Sequence, residues 1–172
     1  MHVGANDNWD ESRLDHAGLP NAFQVHTNVI SGGVPHGDEG FMQLKRIAVK
    51  TIISVDGARP DVEIAKKFGL RYVHLPHGYD GISSSHARTL ARAISILPGP
   101  IYIHCHHGKH RSPAAAMVAC VGAGLAQPQQ GVAFLKAAGT SPKYVGLYAA
   151  VNEARQFKQA ELNYHEVSFP EI

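Results

Sequence analysis

A short apolar run, Gly99-Pro100-Ile101-Tyr102-Ile103, leads straight into the polar stretch His104-Cys105-His106-His107-Gly108-Lys109-His110-Arg111-Ser112. The chain then continues as Pro113-Ala114-Ala115-Ala116-Met117-Val118. The first segment reads as a buried strand and the last as the start of a helix, so the residues between must turn within a tight loop. Strand, loop and helix N-terminus in that order form an anion cradle, because loop N–H groups and the helix dipole converge on one point. A thiol at the mouth of such a cradle is favoured as thiolate, the form in which sulfur is a nucleophile. Arg111 follows Cys105 after five intervening residues, and its planar fork matches two oxygens of a phosphate. The chemistry suggested is attack of Cys105 on phosphorus.

The pattern Cys-x5-Arg-Ser preceded by histidine resembles the signature loop of the cysteine-dependent protein tyrosine phosphatase superfamily, dual-specificity type. Gly108-Lys109-His110-Arg111 is most similar to the plant and fungal atypical dual-specificity phosphatases. Ser31-Gly32-Gly33-Val34-Pro35 resembles an early turn of that family, Lys50 to Val55 its first core strand, and Gly78-Tyr79-Asp80-Gly81 its acid-bearing loop. The likeness runs over about residues 24–125. It implies a phosphatase acting on phosphate monoesters or inositol pyrophosphates through a cysteinyl-phosphate intermediate. Two departures stand out. Ser112-Pro113 occupies the place where those relatives carry Thr-Gly, and both residues after the cysteine are histidine, which ties the loop's charge to pH in the imidazole range.

Each candidate has a role and a plainer alternative. Cys105 is the nucleophile, against a buried structural thiol. Arg111 is the phosphate ligand, against a surface ion-pair partner. Gly108 supplies a backbone geometry closed to other residues. His104, at the end of a buried strand, orients the loop through hydrogen bonds. Ser112 caps the helix, and the resemblance adds a part in stabilising the departing thiolate. His106, His107, Lys109 and His110 either add positive potential or are solvated loop residues. For the general acid, the loop between Pro76 and Ser83 has one acidic residue, Asp80, between glycines that would let it move. Its alternative role is a turn-forming Asp-Gly pair, and the resemblance favours catalysis. Asp56 is the second candidate. The reaction calls for no cofactor and no metal.

The remaining chain sets bounds. With 172 residues, 44% of them hydrophobic, it can bury one good core. Sixteen basic and fourteen acidic side chains leave it nearly neutral, so bulk charge indicates no nucleic-acid or membrane-surface role. No apolar run is long enough to span a membrane. The two cysteines, Cys105 and Cys120, stand fifteen positions apart; with a helix between them, that is roughly 22 Å, beyond the reach of a disulfide. A reducing, cytoplasmic setting is expected, since the thiol must stay reduced.

Strands alternate with helical patterns, which predicts an α/β fold with a central, mostly parallel sheet flanked by helices on both faces. Residues 1–22 read as a loosely ordered lead-in, 23–160 as the phosphatase domain and 161–172 as a tail. Strands are expected at Phe23–Ile30, with Gly32-Gly33 as the turn after it, and at Thr51–Val55 and Leu70–Leu75. Helices are expected at Asp38–Leu44, Asp61–Phe68, Ser84–Leu97, Gln129–Ala138 and Tyr144–Phe157. Asp56, the His77–Asp80 loop and Cys105 each follow a strand's C-terminal end, where ligands of such sheets bind. The expected partner is a phosphorylated small molecule of inositol phosphate type, or a phosphoprotein. A zinc module built on His104, Cys105, His106 and His107, a phosphate-binding pseudophosphatase and a rhodanese-like sulfurtransferase are the competing classes.

Overall fold

Residues with long apolar, β-branched runs cannot face water on either side, and Thr51–Ser54 and Ile101–Cys105 are two such runs. In the computed structural model, which describes residues 9–163, both lie at the centre of one sheet. Its strands are β1 (Arg13–Leu14), β2 (Ala22–His26), β3 (Val29–Gly33), β4 (Thr51–Ser54), β5 (Arg71–His74) and β6 (Ile101–Cys105). Their order is β1-β2-β3-β6-β4-β5. β3, β6, β4 and β5 run parallel, whereas β1 and β2 add an antiparallel edge. Every residue of β4 and β6 is buried, as expected of parallel strands covered on both faces.

The helices are α1 (Gly37–Arg46), α2 (Val62–Lys67), α3 (Ser84–Ile96), α4 (Arg111–Gly122), α5 (Pro128–Ala138), α6 (Val145–Asn152) and α7 (Gln159–Leu162). Alternation along the strands sorts them into two layers. Ile30, Ile52, Tyr72 and Tyr102 pack with Phe41 and Leu44 of α1 and Val62 and Ala65 of α2. Val29, Ile53, Val73, Ile101 and Ile103 face the other way, toward Leu90 of α3, α4, Phe134 of α5 and Leu147 of α6. This is the α/β arrangement expected from the sequence. Helix α4 is buried along its whole length, and its run of alanines lets neighbouring elements approach on every side. Asp61 caps α2 by accepting from the Ile64 N–H, and Ser83 caps α3 by accepting from that of His86.

Within the stretch read as a loose lead-in, Trp9, Ser12 and Leu19 are buried, and two other expectations are corrected. Trp9 opens a short 3-10 turn (Trp9–Ser12), is 3% exposed, and its ring lies 4.7 Å from that of Phe134. Gly32-Gly33 is no turn, because both residues belong to β3 and pair with His104 and Cys105. Their role is close approach: a Cβ on Gly33 would sit 2.8 Å from Pro20 and 2.9 Å from the His107 carbonyl oxygen, and one on Gly32 would strike the Tyr102 hydroxyl. The turn falls earlier, between β2 and β3. Finally, α6 stops at Asn152 instead of reaching Phe157, whose N–H instead bonds the Gly122 carbonyl at the end of α4. Of the expected tail, Leu162 is buried against Ala91 and Phe157, and residues 164–172 lie outside the described ones.

Candidate active site

Strand β6 ends at Cys105 and α4 begins at Arg111, so residues 106–110 span the gap as the sequence predicts. The turn is possible because Gly108 adopts φ +81°, and any Cβ there would strike the backbone of Gly32 and Gly33. The loop's carbonyls are held from outside. His106 O accepts from the Val34 N–H at 3.1 Å, His107 O from Asn21 Nδ2 at 2.8 Å, and Lys109 O from the Thr140 hydroxyl at 2.6 Å. In a trans peptide the N–H points opposite to the C=O. Tying those carbonyls outward therefore turns the N–H groups of His107, Gly108 and His110 toward the loop's interior. The Gly108 N–H reaches Cys105 Sγ at 3.3 Å.

Ser112 Oγ lies 3.2 Å from the same sulfur and donates to Gly32 O at 2.9 Å. The hydroxyl is thus a rotor with two acceptors in reach, the Gly32 carbonyl and, once the thiol is ionised, the sulfur. His104 is enclosed behind the loop. Its Nδ1 lies 3.0 Å from Cys105 O, and a carbonyl can only accept, so that nitrogen carries the proton. Nε2 then accepts from the Tyr72 hydroxyl. Burial pushes the His104 pKa down to about 4, which keeps the ring neutral and this tautomer in place.

Arg111 is 8% exposed. Its Nη2 donates to Asp56 Oδ1 at 3.1 Å, and the ring of Tyr79 covers the guanidinium at 4.4 Å. Asp56, just past β4, is itself fixed by a hydrogen bond from His74 Nε2 to its carbonyl at 2.7 Å. His106 Nδ1 stands 3.9 Å from the second Asp56 oxygen. The two acid candidates stand in different settings. The Asp56 carboxylate is committed to a guanidinium, whereas Asp80 is exposed and hydrogen-bonds to none of the described residues' side chains. Asp80 follows Tyr79, whose ring covers Arg111, and its main chain lies against Gly146 of α6.

The histidines are not a set of ordinary imidazoles. Burial lowers the His77 pKa to about 4, and its Nδ1 donates to Gly78 O at 2.8 Å. His86 is also shifted down by burial. His110 is lowered by burial first, then by Lys109, Lys143, His107 and Arg111. No group of three or more His, Cys, Asp or Glu among the described residues is placed to hold a metal.

Sequence reasoning missed Tyr144, which stacks on Tyr79 at 4.8 Å, and Asn21, which holds the His107 carbonyl. Both come from segments distant in the chain, and neither carries a linear motif. An aromatic residue at the N-cap of a helix was the one available hint for Tyr144.

No protein-family model matches the chain, and no curated protein matches it in sequence. Solved structures do match in fold. P. aeruginosa TpbA aligns over 83% of this chain and 89% of its own, at 18% identity and a TM-score of 0.70. A second TpbA structure, in complex with pTyr, aligns at a TM-score of 0.67 over 78% of this chain and 84% of its own, at 18% identity. The catalytic core of Siw14, described as a PP-IP phosphatase of S. cerevisiae, aligns over 87% of this chain and 91% of its own, at 15% identity and a TM-score of 0.69. A bacterial and a fungal structure thus fit about equally well, and the fold does not single out the plant and fungal members.

Proposed function

We propose that this chain, which has the fold of the cysteine-dependent phosphatases, is a phosphoric ester hydrolase that works through a cysteinyl-phosphate intermediate. The observation that carries the reading is the surroundings of Cys105 Sγ: an N–H from Gly108, a hydroxyl from Ser112, and Arg111 at the far side of the same loop. In this reading the Cys105 sulfur attacks phosphorus while loop N–H groups and Arg111 hold the non-bridging oxygens. Asp80 protonates the leaving oxygen as its bond to phosphorus breaks. Water then attacks the phosphocysteine, Asp80 takes the water's proton, and the sulfur leaves as thiolate with the Ser112 hydroxyl turned toward it. His104 acts on none of the reacting atoms; it fixes the Cys105 carbonyl and with it the start of the loop.

For substrate, we infer a compact, highly anionic phosphate ester or pyrophosphate, of inositol phosphate type, in preference to a phosphotyrosyl peptide. The fixed cations Lys109, Lys143 and Arg111 lie close enough to His110 to disfavour its protonation, so positive charge gathers beside the signature loop. The PP-IP phosphatase named among the structural neighbours supports this reading, and the pTyr complex of TpbA supports the alternative.

The test joins both levels. Cys105→Ser is expected to fold and bind vanadate with turnover below about a hundredth of wild type, because nothing in the loop ionises a serine hydroxyl. Residual activity above that would remove the nucleophile assignment. A panel of inositol phosphates, inositol pyrophosphates and phosphotyrosyl peptides, compared by kcat/KM, decides the substrate class. If the peptides win and Lys109→Ala with Lys143→Ala changes nothing, the polyanion reading is wrong.

A further inference from the structure

Between α5 and the first turn of α6, residues 140–146 touch both loops of the proposed site while belonging to neither. On the nucleophile side, the Thr140 hydroxyl donates to Lys109 O at 2.6 Å, the Ser141 N–H donates to His110 Nδ1 at 3.2 Å, and the His110 ring meets the Tyr144 ring edge-on at 4.8 Å. On the acid side, Tyr79 stacks on Tyr144 with ring planes 29° apart. The segment is itself braced, since the Tyr148 hydroxyl donates to Thr140 O at 2.7 Å and Leu147 is fully buried in the core.

Gly146 is the telling residue. It lies inside the first turn of α6, where alanine is the better helix former. Its backbone does not need the left-handed region, so conformational freedom does not account for it. Space does. A Cβ at Gly146 would collide with the Asp80 carbonyl group, which is backbone and cannot swing aside. Gly78 clears room on the other side, where a Cβ would lie 2.9 Å from Asp80 Oδ1. The acid-bearing loop therefore rests its main chain directly on α6.

We propose that Thr140–Gly146 is a bracket that holds the acid-bearing loop in register with the nucleophile loop, with Tyr144 and Gly146 as positioning residues for Asp80. The inference rests on the reading of Asp80 as general acid. Neither residue carries a group in the proposed reaction. Its Thr140 end holds the Lys109 carbonyl of the cradle, whereas Tyr144 and Gly146 set where the acid-bearing loop stands relative to it.

The measurement is the dependence of kcat on leaving-group basicity over a series of alkyl and aryl phosphates, with vanadate affinity as a check on the cradle. Gly146→Ala is expected to lower kcat on alkyl phosphates by roughly 10–100-fold, a part of the 10²–10⁴ a positioned acid supplies. Para-nitrophenyl phosphate, which needs little protonation, should change by less than about threefold, and vanadate affinity should hold. Tyr144→Ala should act in the same direction, and Tyr144→Phe, which keeps the stack, should behave as wild type. In an Asp80→Asn background Gly146→Ala should add nothing. If Gly146→Ala does not fold, the Tyr144 pair decides alone. The bracket is overturned if Asp80→Asn steepens the leaving-group dependence while the Gly146 and Tyr144 variants leave it flat. If Asp80→Asn itself cuts all substrates equally, the acid assignment falls first, and the bracket falls with it.

Discussion

Arg111 enters the site already engaged. Its guanidinium is bonded to Asp56 and covered by Tyr79, so an arriving phosphate must take a position on a fork that is held flat and in place. A carboxylate whose lone pairs face a guanidinium is better suited to fixing that fork than to donating protons. The two acids should therefore separate in mutation. Asp80→Asn is expected to slow alkyl phosphates by roughly 10²–10⁴-fold and activated aryl phosphates far less. Asp56→Asn should lower kcat/KM by about tenfold on both, a transition-state cost of about 1.4 kcal/mol. Steady-state kinetics on one alkyl and one aryl substrate distinguishes them, and the opposite pattern would exchange the roles. At this scale the sequence was informative where chemistry is contiguous. Cys105, Gly108, Arg111 and Ser112 are neighbours in the chain, and their spacing encodes the loop. The pairing of Asp56 with Arg111 joins residues 55 positions apart, and Tyr144 and Asn21 are further contacts of this kind, set by packing that no local pattern records.

Strands β4 and β6 announced themselves because a fully buried parallel strand is an unbroken apolar run. Strand β3 did not, since glycine is ambiguous: it marks a turn in one setting and a close approach in another. Here Gly33 lets β3 pass against the signature loop, with its N–H bonded to Pro20 O at 2.8 Å and its carbonyl accepting from the Tyr102 hydroxyl at 2.7 Å. Gly33→Ala forces a methyl between Pro20 and the His107 carbonyl, an overpacking expected to cost about 1–3 kcal/mol. It should also displace the loop. Denaturant melts should show the lost stability, and kcat/KM should fall on every substrate regardless of leaving group. Unchanged kinetics would mean that the loop absorbs the methyl without moving. The end of α6 was misread for a different reason. Residues 144–157 contain no proline or glycine stop after Gly146, and the chain leaves the helix because Phe157 finds its burial at the end of α4, a tertiary gain that outweighs continuing the helix.

Across the whole molecule, His77 and His104 are held neutral by burial, each with a pKa near 4 against an ordinary 6.5. The unfolded chain binds protons at these sites below about pH 6.5, and the folded chain does so only near pH 4. Stability contributed by the neutral rings is thus complete above about pH 6.5 and is lost as pH falls toward 4. The melting temperature should decline through that window with the folded state taking up fewer protons than the unfolded one. A flat profile between pH 7 and 4.5 would show that the two rings are not desolvated as the fold implies.

Helix α4 carries the second cysteine. Cys120 is enclosed on all sides, burial pushes its thiol up to about 12, and it stands nine residues beyond Arg111, about 13 Å along the helix axis. Both thiols are free. A sulfur at the base of the signature loop, itself only 3% exposed, with its sole companion sealed in the core, has no second thiol within reach to cap it after a peroxide strikes. Its sulfenic acid must be met by a thiol from outside or proceed to the irreversible acids. The packing that makes α4 a rigid floor for catalysis therefore also ties the protein's recovery from oxidation to the small thiols of its surroundings.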